Sequence, residues 1–172
     1  MILDIVLSTV LIICFFTDLT QQKIYNIVIF PSLAAAIILN VWYGGIGGLA
    51  MSLLGFITGL GILILPYYIG GIGAGDVKLL SIIGAFKGSI FVINAAIYMA
   101  VTGGIIALII ILYRKQTINF FKTIFTWLFY FFIGIKYKLN FSTSTFSNKY
   151  PYGTAIVMGA LICLLFKEAW II

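Results

Sequence analysis

Between Lys23 and Asp76 the chain carries no charged side chain, and several of its apolar runs exceed the ~18 residues that take a helix across a bilayer. That feature decides the class. Lipid offers no partner for backbone N–H and C=O groups, so such a run must close its hydrogen bonds within itself as a helix. Composition agrees, since 63% of residues are hydrophobic and only 8% are charged, where a soluble domain has about a quarter charged. The expected fold is all-α: a polytopic membrane helix bundle forming a single domain over residues 1–172.

The net charge of +6 does not indicate nucleic-acid binding. The basic residues fall in short segments between apolar runs, where the positive-inside rule puts them, rather than on one folded face. Cys14 and Cys163 lie inside apolar runs without C-x-x-C spacing, which suggests neither a zinc site nor a disulfide. Histidine is absent, so His-based triads and His-containing zinc sites are excluded and carboxylates become the leading acid–base groups. No metal or organic cofactor is expected.

Taken in order, Ile2–Phe16 reads as a retained helix, because Asp4 occupies the would-be basic region and no small-residue cleavage site follows. A polar loop is expected over Thr17–Asn26. Ile27–Tyr43 forms the next span, with Trp42 and Tyr43 as interfacial anchors. A glycine turn, Gly44–Gly48, leads to Leu49–Ile69, whose Gly55-x-x-x-Gly59 is either a close-packing face or scattered membrane glycine. Val77–Phe86 gives only ~15 Å of helix, too little to cross alone. Either the preceding glycine turn dips into the membrane, the favoured reading, or the helix continues past Lys87-Gly88-Ser89. Ile90–Tyr113 spans, the aromatic stretch Asn119–Ile135 lies at the interface, and Pro151–Trp170 forms the last span. About six spans plus one interfacial helix result.

With the Asp18 loop inside, eight of the ten basic residues fall on or near the cytoplasmic side, and only Lys87 and Lys167 fall outside. Both termini are then outside. Asp18 and Asp76 share the cytoplasmic face, and Asp4 and Glu168 the other.

The chain has only four acidic residues, and a carboxylate in such apolar surroundings marks a functional site by default. Asp76 ends the glycine-rich stretch Gly70-Gly71-Ile72-Gly73-Ala74-Gly75, and Asp18 closes the first apolar run. Two carboxyls sharing one proton can activate water and protonate a leaving group, because like charges a few ångströms apart cannot both ionise. The same residues also suit a small cation or proton transporter. A non-catalytic scaffold of a secretion machine is the third reading. Lys78 is suited to tuning a carboxyl, and equally to snorkelling at the interface.

Gly73-Ala74-Gly75-Asp76-Val77-Lys78-Leu79-Leu80, followed by Gly84-Ala85-Phe86, resembles the G-x-G-D-x-K-L motif of the type IV prepilin peptidases. Asp18 followed by Lys23-Ile24-Tyr25-Asn26 resembles that family's first-aspartate segment, and Pro151-Tyr152-Gly153-Thr154-Ala155 the opening of its last helix. The resemblance implies an aspartic endopeptidase with Asp18 and Asp76 as the catalytic pair. Gly73, Gly75 and Lys78 support the active-site loop, and Lys23 and Asn26 position substrate or loop. The implied substrate is the basic leader of a pilin-like precursor, cut at the cytoplasmic membrane boundary. The implied location is the cell membrane, with the lipid bilayer and the precursor as partners. Tyr25 and Thr154 stand where the family often has proline. The cysteine-bearing N-terminal region of larger members is not seen, so N-methyltransferase activity is not expected.

Overall fold

The computed structural model describes residues 2–21, 23–113 and 152–166. The stretch 119–135 expected at the interface lies outside the described residues. Within them the chain forms five helices and no strand: α1 (Ile2–Gln21), α2 (Asn26–Tyr68), α3 (Ala74–Lys87), α4 (Ser89–Tyr113) and α5 (Tyr152–Leu165). The fold is all-α, as the apolar runs require. Three of these helices, α1, α2 and α4, are long and apolar enough to cross a membrane. The remaining two, α3 and α5, have 14 residues each and fall short of that length.

α2 is two helical arms rather than one rod. Gly45 breaks the helix with φ 56° and ψ −136°, a conformation that only glycine adopts readily. Beyond it the chain folds back: the Cβ position of Gly48 lies 1.9 Å from the Asn40 carbonyl oxygen, whereas eight residues of straight helix span ~12 Å. The expected glycine turn is therefore present, and each arm is roughly 20 residues long, enough to cross.

α1 runs further than expected. Thr17 to Gln21 are helical, because the Thr17 and Thr20 hydroxyls donate to the carbonyls of Cys14 (3.1 Å) and Phe16 (2.8 Å). Hydroxyls satisfied inside the helix give the polar residues no reason to end it. Lys23–Tyr25 are non-helical and α2 begins at Asn26, so polarity alone misplaces the boundary.

The chain divides into two compact units, Met1–Gly103 with Pro151–Ile172, and Gly104–Tyr150. In the first, α3 is the core helix, buried at Val77 and continuously from Leu79 to Phe86. It lies directly on α2. A Cβ on Gly55 would stand 1.9 Å from the Gly84 carbonyl oxygen, and one on Gly59 would stand 2.6 Å from that of Leu80. Gly55 and Gly59 are thus a close-packing face, the first of the two readings the sequence left open. The Asn40 amide donates to the carbonyls of Ala85 (3.0 Å) and Phe86 (3.4 Å), partnering the otherwise unpaired last turn of α3. α3 stops at Lys87: Gly88, at φ 85°, separates it from α4, so the helix does not continue through Lys87-Gly88-Ser89. Large apolar side chains such as Ile27, Ile57 and Ile97 remain exposed along the outer faces, as suits a lipid solvent.

Candidate active site

Asp18 is carried into the core by the stripe that packs α1. Leu7, Leu11, Cys14 and Asp18 recur at helical spacing of four, three and four, and all are buried. An acid near a helix C-terminus faces the negative end of its own dipole. The N-terminus of α5 answers this from outside α1: the Thr154 N–H donates to Asp18 Oδ2 at 2.8 Å. The fit is tight enough to need glycine next door, since a Cβ on Gly153 would stand 2.7 Å from Asp18 Cγ.

Asp76 arrives by a different route. Gly70, at φ 80°, closes α2: its N–H donates to Tyr67 O (2.9 Å) while the Gly71 N–H donates to Pro66 O (3.0 Å). This pair of bonds is a Schellman ending, which needs a left-handed residue in the Gly70 position. α3 restarts at once, and Asp76 stands in its first turn, where a negative charge is favoured. Its Oδ2 reaches back to the Gly73 N–H at 3.3 Å. Burial pushes the Asp76 carboxyl up to about 6; the neighbouring Asp18 charge pushes the same way, and the Gly73 N–H partly opposes them. Asp18, near the C-terminus of α1, and Asp76, at the N-terminus of α3, lie at the same end of the core, because the other ends of these two helices meet at the Asp4–Lys87 pair.

The other residues singled out by sequence divide. Lys78 Nζ donates to Asn26 Oδ1 at 3.0 Å and lies 5.8 Å from the centre of the Phe30 ring, so it ties the first turn of α3 to the start of α2. A Cβ on Gly75 would approach Ile24 Cβ to 3.1 Å, which presses the Asp76 turn against the Lys23–Tyr25 connection. Gly73 supplies the N–H held by Asp76. Lys23 is exposed and makes none of these contacts. Sequence reasoning gave no role to Ile24, and it noted Gly153 and Thr154 only as part of a motif. The signal for Gly153 was a glycine at the entrance of an apolar helix.

Helices long and apolar enough to cross a bilayer, packed around a common core, define a membrane protein. A model of the type IV leader peptidase family matches residues 5–108, more than half of the chain. The chain belongs to that family and is a protease of the membrane. No curated protein and no solved structure matches it. The matched range includes Asp18, Asp76, Lys23, Asn26, Gly73, Gly75 and Lys78, and stops short of Gly153 and Thr154.

Proposed function

We propose that this protein is a multi-pass aspartic endopeptidase of the cell membrane. It removes the basic leader of pilin-like precursors at the cytoplasmic boundary, with Asp18 and Asp76 as the dyad. The observation that supports the reading is that α1 and α3, paired at one end through Asp4 and Lys87, carry Asp18 and Asp76 to the same opposite end, in a member of a leader peptidase family. Asp76 keeps the shared proton, because its surroundings favour the neutral acid. Asp18, with the Thr154 N–H fixed on one oxygen, is the base.

In the reaction, Asp18 takes a proton from water as the water oxygen bonds to the scissile carbonyl carbon, and Asp76 gives its proton to the carbonyl oxygen. Collapse of the gem-diol breaks the C–N bond: the proton held by Asp18 goes to the leaving nitrogen while one hydroxyl proton returns to Asp76, which restores the starting pair. Arrival of the apolar precursor helix excludes water and strengthens the sharing of one proton between the two acids. Lys78 and Asn26 hold the loop, Gly73 and Gly75 shape the turn, and Lys23 is placed to meet the precursor. The acids face the cytoplasm and both termini lie outside, an orientation that the lysine distribution supports.

The test is cleavage of a co-expressed pilin-like precursor in membranes by wild type, Asp18→Asn and Asp76→Asn. Loss of processing in each variant that still inserts and accumulates is expected. Processing by either variant would remove that residue from the dyad. Ion flux through the wild type that depends on both acids would move the protein to the transporter class.

A further inference from the structure

The mechanism leaves one pair of charges unused, at the far end of the same two helices. Asp4 lies in the first turn of α1 and Lys87 in the last turn of α3, and Lys87 Nζ is bonded to Asp4 Oδ1. Lys87 is only 13% exposed and also lies 5.7 Å from the centre of the Phe91 ring. Each charge suits its own helix end, an acid at an N-terminus and a base at a C-terminus. The ends meet because α1 and α3 run antiparallel, with Asp18 and Asp76 at the opposite end. That opposite end holds two acids, whose charges repel when both are ionised.

α3 is fixed by backbone contact to α2 through Gly55, Gly59 and Gly84. α1, which carries Asp18, has no such glycine contact with α3. Among the described residues, no side chains other than those of Asp4 and Lys87 hydrogen-bond between α1 and α3. Helices are stiff, so a slip of one residue at Asp4 is a slip of ~1.5 Å at Asp18, and a misplacement of about 1 Å is enough to cost ~100-fold in rate.

We propose that the Asp4–Lys87 pair is a register clamp that sets the axial position of α1 against α3 and so holds Asp18 against Asp76. Both are positioning residues. This rests on the dyad proposed above.

The experiment uses the full chain in membranes, with Cys163→Ala so that Cys14 is the remaining thiol. Cys14 is buried on α1, four residues before Asp18, and reports that helix directly. Asp4→Asn, Lys87→Gln and the exchange Asp4→Lys with Lys87→Asp are compared for precursor cleavage and for labelling of Cys14 by N-ethylmaleimide. The exchange leaves the net charge at that end unchanged, so it does not alter the positive-inside balance. Each single variant is expected to lose at least tenfold in kcat with KM within threefold of wild type, and to label Cys14 faster. The exchange re-forms the pair but sets each charge against its own helix dipole, so it is expected to recover both in part, clearly above the singles.

Wild-type kcat and labelling in the single variants would overturn the clamp, and so would an exchange as slow as the singles while the protein accumulates. If a single variant fails to accumulate, recovery of accumulation by the exchange supports the clamp and failure to recover overturns it. If the wild type cleaves no precursor, the peptidase reading fails on its own. Cys14 labelling then still decides the clamp: faster in the singles and recovered in part by the exchange supports it, unchanged overturns it.

Discussion

An alanine at position 153 would bring a methyl carbon to 2.7 Å from Asp18 Cγ and 2.8 Å from Oδ2. Asp18 is buried and the entrance of α5 is the partner of its carboxylate, so neither side has room to yield. Gly153→Ala is expected to cost about 1–3 kcal/mol in stability and ~100-fold in cleavage, measured by thermal unfolding in detergent and by precursor processing. Asp76 makes a second prediction at this scale. Its carboxyl is raised from 3.8 to about 6 in the folded protein, so between those values the native state binds more protons than the unfolded chain. Stability should therefore fall as pH rises through that window and level off above it. Asp76→Asn should flatten the dependence, as unfolding midpoints from pH 4 to 8 would register. In the same titration kcat/KM should decline as the pH passes about 6 and the pair loses its shared proton. Both acids were legible in the sequence because an acid is rare in such a chain. The partner of Asp18 was not, since spacing says nothing about a backbone N–H that arrives 136 residues later.

Among the elements, α3 depends most on what its neighbours lack. Gly84 and Gly55 meet backbone to backbone, with a Cβ on Gly84 falling 2.1 Å from the Gly55 carbonyl oxygen. Gly84→Val or Gly55→Val must drive the helices apart, and a loss of about 3 kcal/mol is expected, at the upper end of overpacking, read as loss of accumulation in membranes. Ser52→Ala, one turn before Gly55, is expected to be neutral or slightly stabilising. The Ser52 hydroxyl is buried with no hydrogen-bond partner among the described residues, so removing it relieves a desolvated group. Apolar length and glycine punctuation placed most helices correctly. The end of α1 was missed because threonines can satisfy themselves within a helix, and the choice between packing and scattered glycine at Gly55 needed the opposing helix to decide it.

At the scale of the whole molecule, the two polar ends of the core lie close together. Asp4 to Asp18 along α1 is ~21 Å and Asp76 to Lys87 along α3 is ~17 Å, while the hydrocarbon layer of a typical bilayer is ~30 Å. A chain with charges that far apart either draws the headgroups inward around it or leaves its acids beneath the surface in a wet recess. Bending a bilayer to meet it costs fractions of a kcal/mol per ångström. Acyl-chain length then becomes a lever on the cleavage proposed above: reconstituted in vesicles of 14-carbon chains the protein should cut its precursor faster than in vesicles of 22-carbon chains, tuned by the thickness of its solvent.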